Sequence, residues 1–247
     1  DATVETVYDN LDRMRAVTAF LDNVGALSVY SVIAGNADIG LTQPNQIAVA
    51  EQLLDSHSLY LTGNTSTMYS IGHLDLQAYG PTVVEVPPGM LSMLDDAWMR
   101  YVGDFGVAGP DKGKGGKSLI LPPGYTGEVP EGYFVLKPLT YINWFFMRGS
   151  IADGLAPALK NVKDHLKVYP LSAATSPPAT EFVNITGKSY NTIAPSDYSY
   201  FEALNTIIQR EPIDALGSEA RGTLAAIGIV KGQPFNPDAR MKRLLTE

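Results

Sequence analysis

Between about residue 58 and residue 150 the chain is cut into short apolar runs by clusters of glycine, proline and aspartate. The runs are "SLYLT", "MYSIGHLDL", "TVVEV", "LSMLDDAWMRYV", "SLILPP", "YFVLKP" and "INWFFMRGS". A helix needs a longer unbroken stretch to bury a stripe, whereas strands of this length with turn chemistry between them make antiparallel sheets. The centre is therefore expected to be an antiparallel β-sandwich, jelly-roll-like, and helices are left to the two ends. The fold class is α+β.

The ends carry helical spacing. Val4, Val7, Leu11, Met14, Val17, Phe20 and Leu21 recur at steps of three and four, which predicts an amphipathic helix over 4–21 with Thr3 as its cap and this stripe inside. A second helical piece is expected over 24–34 and a shorter helix from Gln46 to Leu54. After the sheet, Leu155, Leu159, Val162 and Leu166 mark another helix, with Pro157 tolerable near its start. Residues 172–195, rich in Ser, Thr, Pro and Ala, read as a connecting loop. Ser196 is expected to cap a helix whose inner face is Phe201, Leu204, Ile207 and Ile208, and a further helix follows near 218–227. The last has Asn236 as cap and Pro237 at its first position. The expected division is an N-terminal helical segment over 1–57, a sandwich core over 58–150, and a helical segment with linker over 151–247. On the last helix Met241, Leu244 and Leu245 form an apolar side that must be covered, by this domain or by material beyond residue 247.

Composition excludes several functions. With no cysteine among 247 residues, disulfides, thiolate catalysis and Cys-rich zinc sites are all ruled out. A net charge of −8 repels phosphate backbones and anionic lipid, so neither nucleic acid nor a membrane surface is an expected partner. No apolar run reads as approaching the roughly 20 residues of a membrane helix.

Few residues are arranged for chemistry. "GPDKGKGGKSLIL", 109–121, imitates a phosphate-binding loop, but Asp111 stands where the first glycine belongs and Leu119–Leu121 are strand-like where a helix must open. His57, His73 and His165 show no metal-ligand spacing, and no nucleophile elbow accompanies them. No metal and no cofactor are expected. "LDDAWMR" reads as strand, so Asp95 and Asp96 point to opposite faces; Asp96 is expected in solvent and Asp95 hydrogen-bonded near the strand end. Tyr125, Tyr133, Phe134, Tyr141, Trp144, Phe145 and Phe146 form a set that could stack on sugar rings, though at strand spacing it reads first as a packed sheet face. "GNTSTMYSIGHLDL", 63–76, sets hydroxyls and an amide before a strand bearing Tyr69, Ile71, His73 and Asp75 on one side. Such a knot serves a tight turn, and serves equally well to orient a neutral polar ligand.

At these residues the chain resembles the bacterial exported proteins that join domain of unknown function 1254 to domain of unknown function 1214. The resemblance rests on "GNTSTMYSIGHLDL", "GPTVVEVPPG", "LDDAWMRYVGDFG", "GPDKGKGGKSLILPPGYTGEVPEGYFVLKPLTY", "SYFEALNTIIQREP" and "RGTLAAIGIVKGQPFNPD", in that order over most of residues 4–245. It implies a β-sandwich first module with flanking helices, export to the periplasm or beyond, and no agreed activity. Asn64, Thr65 and Thr67 match the family's opening motif, while Ser66 stands where an acid is usual. Family members run to about twice this length, so the chain is similar to the first module plus linker.

Two functions are expected. In one, the chain is a binding or scaffold module that docks on a second β-sandwich, in the same protein or a separate chain, or on another copy as a homo-oligomer. It would hold a small polar ligand through Asn64, Thr65, Thr67, Tyr69, Asp95, Trp98 and Arg148. In the other it is a hydrolase or lyase acting on a neutral polar or carbohydrate-like substrate with Asn64, Thr65, Thr67, Tyr69 and one of Asp95 or Asp96, and with Arg148 or Lys117 stabilising charge.

Overall fold

The computed structural model describes residues 2–57, 59–60 and 63–247. It is a mixed α+β chain with two sheets, and it forms two compact units: Asp1–Val29 with Ala194–Glu247, and Tyr30–Ile193. The boundaries expected at 57/58 and 150/151 fall inside the second unit.

In the second unit, β1 (Ile47–Val49), β2 (Thr67–Asp75), β4 (Leu91–Asp96), β5 (Tyr101–Gly106), β8 (Ile142–Ser150) and β10 (Phe182–Asn184) form one sheet in the order β10-β1-β2-β8-β4-β5. The other sheet orders β7 (Phe134–Leu136), β6 (Gly116–Ile120), β3 (Thr82–Val86) and β9 (Lys167–Pro170) as β7-β6-β3-β9. Two short helices, α2 (Leu76–Tyr79) and α3 (Leu155–His165), also belong to it. Met68, Leu74, Phe145 and Met147 of the larger sheet share one buried cluster with Val84, Ile120 and Val168 of the smaller, and Val162 of α3 joins it. Period-two alternation sends their neighbours the other way: Tyr69, Ile71, Trp144 and Phe146 pack in a second cluster with Leu41, Leu54 and Tyr190. Gly72 is required where β2 crosses β8, because a Cβ there would lie 2.5 Å from the Phe145 ring.

Several expectations are corrected here. The sheets are not purely antiparallel: β1 pairs with β10, and β6 with β7, in parallel. Gln46–Leu54 is not a helix; three of its residues are β1, held on both sides by β2 and β10, so tertiary pairing outweighs a short apolar pattern. The 172–195 loop contains β10, and "LSMLDDAWMRYV" is not one strand but β4, a turn and the start of β5. The "SLYLT" strand falls largely outside the described residues, and Leu59 and Tyr60 within it are not strand.

The first unit holds most of α1 (Ala2–Asp38) with α4 (Ser199–Arg210), α5 (Ser218–Ala226) and α6 (Ala239–Leu244). α1 is one continuous helix where two pieces were expected, and Thr3 lies inside it instead of capping it. It contains an 18-residue window of mean hydropathy 1.5, one-third buried, long and apolar enough by length and composition to cross a membrane. That corrects the expectation that no run comes close: Asp22 is the one charge between Ala16 and Ala37.

The stripe assigned to the inside of α1 is on the outside. Val4, Val7, Leu11, Met14, Val17 and Leu21 are 40–68% exposed, while Ala16, Ala19, Ala26 and Leu27 are buried. Phe20 and Tyr200 stack with ring centroids 4.2 Å apart, and Tyr200 Oη donates to the Phe20 carbonyl at 2.6 Å. α4 buries the face expected, but its start is held by Asp197, which accepts from the Ser199 amide, and not by Ser196. α6 is capped by Asp238, one residue past Pro237, and Leu244 and Leu245 are sealed in place at 3% and 5% exposure. Arg240 reaches Asp9 and Asp12, Arg243 reaches Asp9, and Arg13 pairs with Glu247, so α6 is pinned to α1 by charge as well.

Candidate functional site

The Asn64 knot is a turn whose polar groups are spent locally. Asn64 Oδ1 accepts from the Ser66 and Thr67 amides at 2.9 and 3.1 Å and from both their hydroxyls. Its Nδ2 donates to Tyr69 Oη at 2.6 Å. One carboxamide thus sets the entry to β2, as an Asx turn does. Asn64 and Thr65 also line a cavity of about 240 Å³ with Leu54, Asp55, Ser56, Tyr60 and Gly63.

From this turn a row of side chains crosses the larger sheet on the face turned away from the main cluster. Register places Tyr69 opposite Arg148 and Arg148 opposite Leu91. The Arg148 guanidinium lies 5.5 Å from the Tyr69 ring and 5.1 Å from Phe146, so it is held by aromatic faces in place of a carboxylate. Two rows further along, His73, Trp144, Asp95 and Tyr101 stand side by side on β2, β8, β4 and β5. Between the two rows, Phe146 and Met93 lead to Asp104, which accepts from Tyr101 Oη at 2.8 Å.

The two adjacent aspartates do different work. Asp96 is not in solvent but 2% exposed: its carboxylate accepts from the Trp98 and Arg100 amides at 2.8 and 3.1 Å and is gripped by the Arg100 guanidinium at 2.6 and 2.7 Å. It closes the β4–β5 turn, in which Met99 takes a positive φ of 57°. Asp95 is 6% exposed, and neither a hydrogen bond nor an ion pair engages its carboxylate among the described residues. Burial, then the Asp96 and Asp104 charges, push its carboxyl up to about 6. A group whose folded pKa is raised favours the folded state at low pH, so this contribution is complete below about 3.8 and is lost as pH rises through about 6.

Of the seven side chains named from the sequence, Asn64, Thr67, Tyr69 and Arg148 are linked from the turn onto the sheet, and Asp95 lies further along the same face. Trp98 is buried in the β4–β5 turn, with Arg100 5.6 Å from its ring. Lys117 belongs to the other sheet, 3.5 Å from Glu85. The aromatic set is divided: Phe145 is core, Trp144 and Phe146 face the other way, and Tyr125 and Tyr133 pack on the smaller sheet. Tyr101 and Asp104 were not named, because reading 91–102 as one strand hides the return strand; the turn at "AWMR" was the missed signal. In the phosphate-loop imitation, buried Asp111 accepts from the Gly106 and Gly115 amides at 2.7 and 3.2 Å, so a carboxylate fills the place an anion would need. Gly106 is obligatory there, with φ 72° and a Cβ that would meet the Met90 carbonyl at 1.9 Å.

The fold and this face define an α+β module of two open sheets, one carrying a row of aromatic and acidic residues around a buried carboxylate. The chain belongs to the family described as Protein of unknown function (DUF1254), whose model matches residues 44–170, just over half its length. No curated protein matches it. Among solved structures it is similar to the VPA0106 protein from Vibrio parahaemolyticus, with a TM-score of 0.68 at 17% identity over 95% of this chain and 56% of that one. An uncharacterised protein from Burkholderia cenocepacia, at 9% identity over 71% of this chain and 51% of that one, has a TM-score of 0.32, too low to bear on the fold. The chain thus spans little more than half the length of the solved proteins it matches.

Proposed function

We propose that this chain is a binding or scaffold module that docks a second β-rich module, carried on the same protein or on a separate chain, against the outer face of α1. The observation that carries the reading is the stripe Val4, Val7, Leu11, Met14, Val17 and Leu21, an apolar helix face 40–68% exposed over about five turns. The terminal helix α6 supplies no support, since its leucines are already sealed. Charge favours a protein over a lipid surface as occupant. α1 carries Glu5, Asp9, Asp12, Asp22 and Asp38 against Arg13 and Arg15, the reverse of a helix that lies on anionic membrane. The greater length of the Vibrio parahaemolyticus protein is consistent with a further module beside this fold. Export, which the family resemblance implies, belongs to this reading, and an apolar N-terminal helix is compatible with it.

Size-exclusion chromatography of the chain, alone and mixed with the proposed second β-rich module, tests it. The expected result is a monomer alone and a one-to-one complex when mixed. The triple variant Val7→Asp, Met14→Asp, Leu21→Asp should fold but lose the complex. A wild-type chain that ignores the module, or one already dimeric through the stripe, overturns the proposal.

A further inference from the structure

We propose that Asp95 anchors a small organic ammonium ion, seated between Trp144 and Tyr101 on the face of the larger sheet turned away from the main cluster. The argument starts from the contrast between two neighbours. Asp96 is buried and fully engaged by Arg100 and two turn amides; Asp95 is buried almost as deeply and has no partner among the described residues. A carboxylate so little exposed, with neither counter-charge nor donor from the protein, is costly to keep ionised, and a ligand that supplies the partner relieves that cost.

The surroundings say which partner fits. Register sets Trp144 directly beside Asp95 on one side and Tyr101 on the other, so aromatic residues flank the carboxylate across both neighbouring strands. Asp104 lies one row away, tied to Tyr101 Oη, and adds negative potential; burial and these acids together raise the Asp95 carboxyl. Of the cations nearby, Arg100 is committed to Asp96, and Arg148 lies opposite Leu91, four residues along β4, stacked on Tyr69 and Phe146. An ammonium group would supply the missing charge to Asp95 and meet the electron-rich ring faces beside it. A neutral saccharide would leave the charge uncompensated. A bare divalent ion would lack ligands, since no three His, Asp or Glu converge among the described residues.

Titration calorimetry at neutral pH on the full chain, with tetramethylammonium, butylamine, glucose and magnesium chloride as separate probes, tests the site. The ammonium probes should bind, and Asp95→Asn should weaken them by roughly thirtyfold or more, the usual cost of removing one member of a buried charge pair. Tyr101→Ala removes a ring that is 64% exposed, so it should fold normally. It should cost about threefold, the size of a partly solvated cation–π contact, and it carries the test if Asp95→Asn fails to fold. The inference is overturned if no ammonium probe binds, if both variants bind as wild type does, or if glucose or magnesium binds in their place. The site belongs to a different unit from the α1 stripe, so it stands or falls separately from the docking proposal.

Discussion

α1 and α4 belong to the same unit and both carry apolar residues at helical spacing, yet they use them in opposite ways. α4 buries the expected face, with Phe201, Leu204, Ile207 and Ile208 all at 5% exposure or less. α1 turns its bulky stripe to solvent and packs Ala16, Ala19, Asn23 and Ala26 inward. Periodicity of 3.6 states which residues share a face and is silent on whether that face is inside. On α1 two faces compete, one bulky and one small, and the small one permits close approach of a neighbouring helix. Phe20, at the edge of the stripe, is drawn in by its stack on Tyr200.

The largest effect should separate the two helices. Leu204→Ala, at a fully buried position, is expected to cost about 2–5 kcal/mol in denaturant unfolding. Met14→Ala, 68% exposed, should stay within about 0.5 kcal/mol. Equal costs would abolish the distinction between the helices. Next in size, Ala19→Leu should overpack the small face of α1 and destabilise by about 1–3 kcal/mol, although it adds apolar bulk to an apolar helix. Tyr200→Phe removes the hydroxyl that donates to the Phe20 carbonyl and should cost about 1 kcal/mol, read as a shifted unfolding midpoint with an unchanged slope.

Smallest is the charge network. Arg240→Ala should shift the unfolding midpoint less than any of these, and less still at high salt, because its pairs with Asp9 and Asp12 are partly exposed. Its pH dependence has a definite sign. The Arg243 guanidinium, with Arg240, holds Asp9 below its ordinary 3.8, so the stability it adds is present above that value and is lost as pH falls through the lower folded one. Asp95 acts in the opposite sense, and Asp95→Asn should remove the decline of stability that this carboxyl contributes between about pH 4 and 6.

Much of the second unit could be read from the chain. β3 falls on "TVVEV" and β8 on "INWFFMRGS", because alternating or fully apolar runs bounded by glycine and proline have few other solutions. What escaped the reading depends on partners distant in sequence. β1 and β10 are three residues each and exist through each other and β2. The site was legible in part: alternation alone put Asp95 and Asp96 on opposite faces, and turn chemistry alone explained Asn64. It could not show that Asp96 would be satisfied within its own turn while Asp95 was left without a partner, because that depends on where Arg100 points after the turn.

The lack of native cysteine gives the docking claim a direct test, since Met14→Cys introduces a unique thiol in the middle of the stripe. The rate at which that thiol reacts with a soluble alkylating reagent is the measurement. On this account it reacts as an exposed thiol in the chain alone and is protected when the proposed second β-rich module is added. Protection in the isolated chain, or no change on adding the module, would contradict the assignment of α1's outer face as the docking surface.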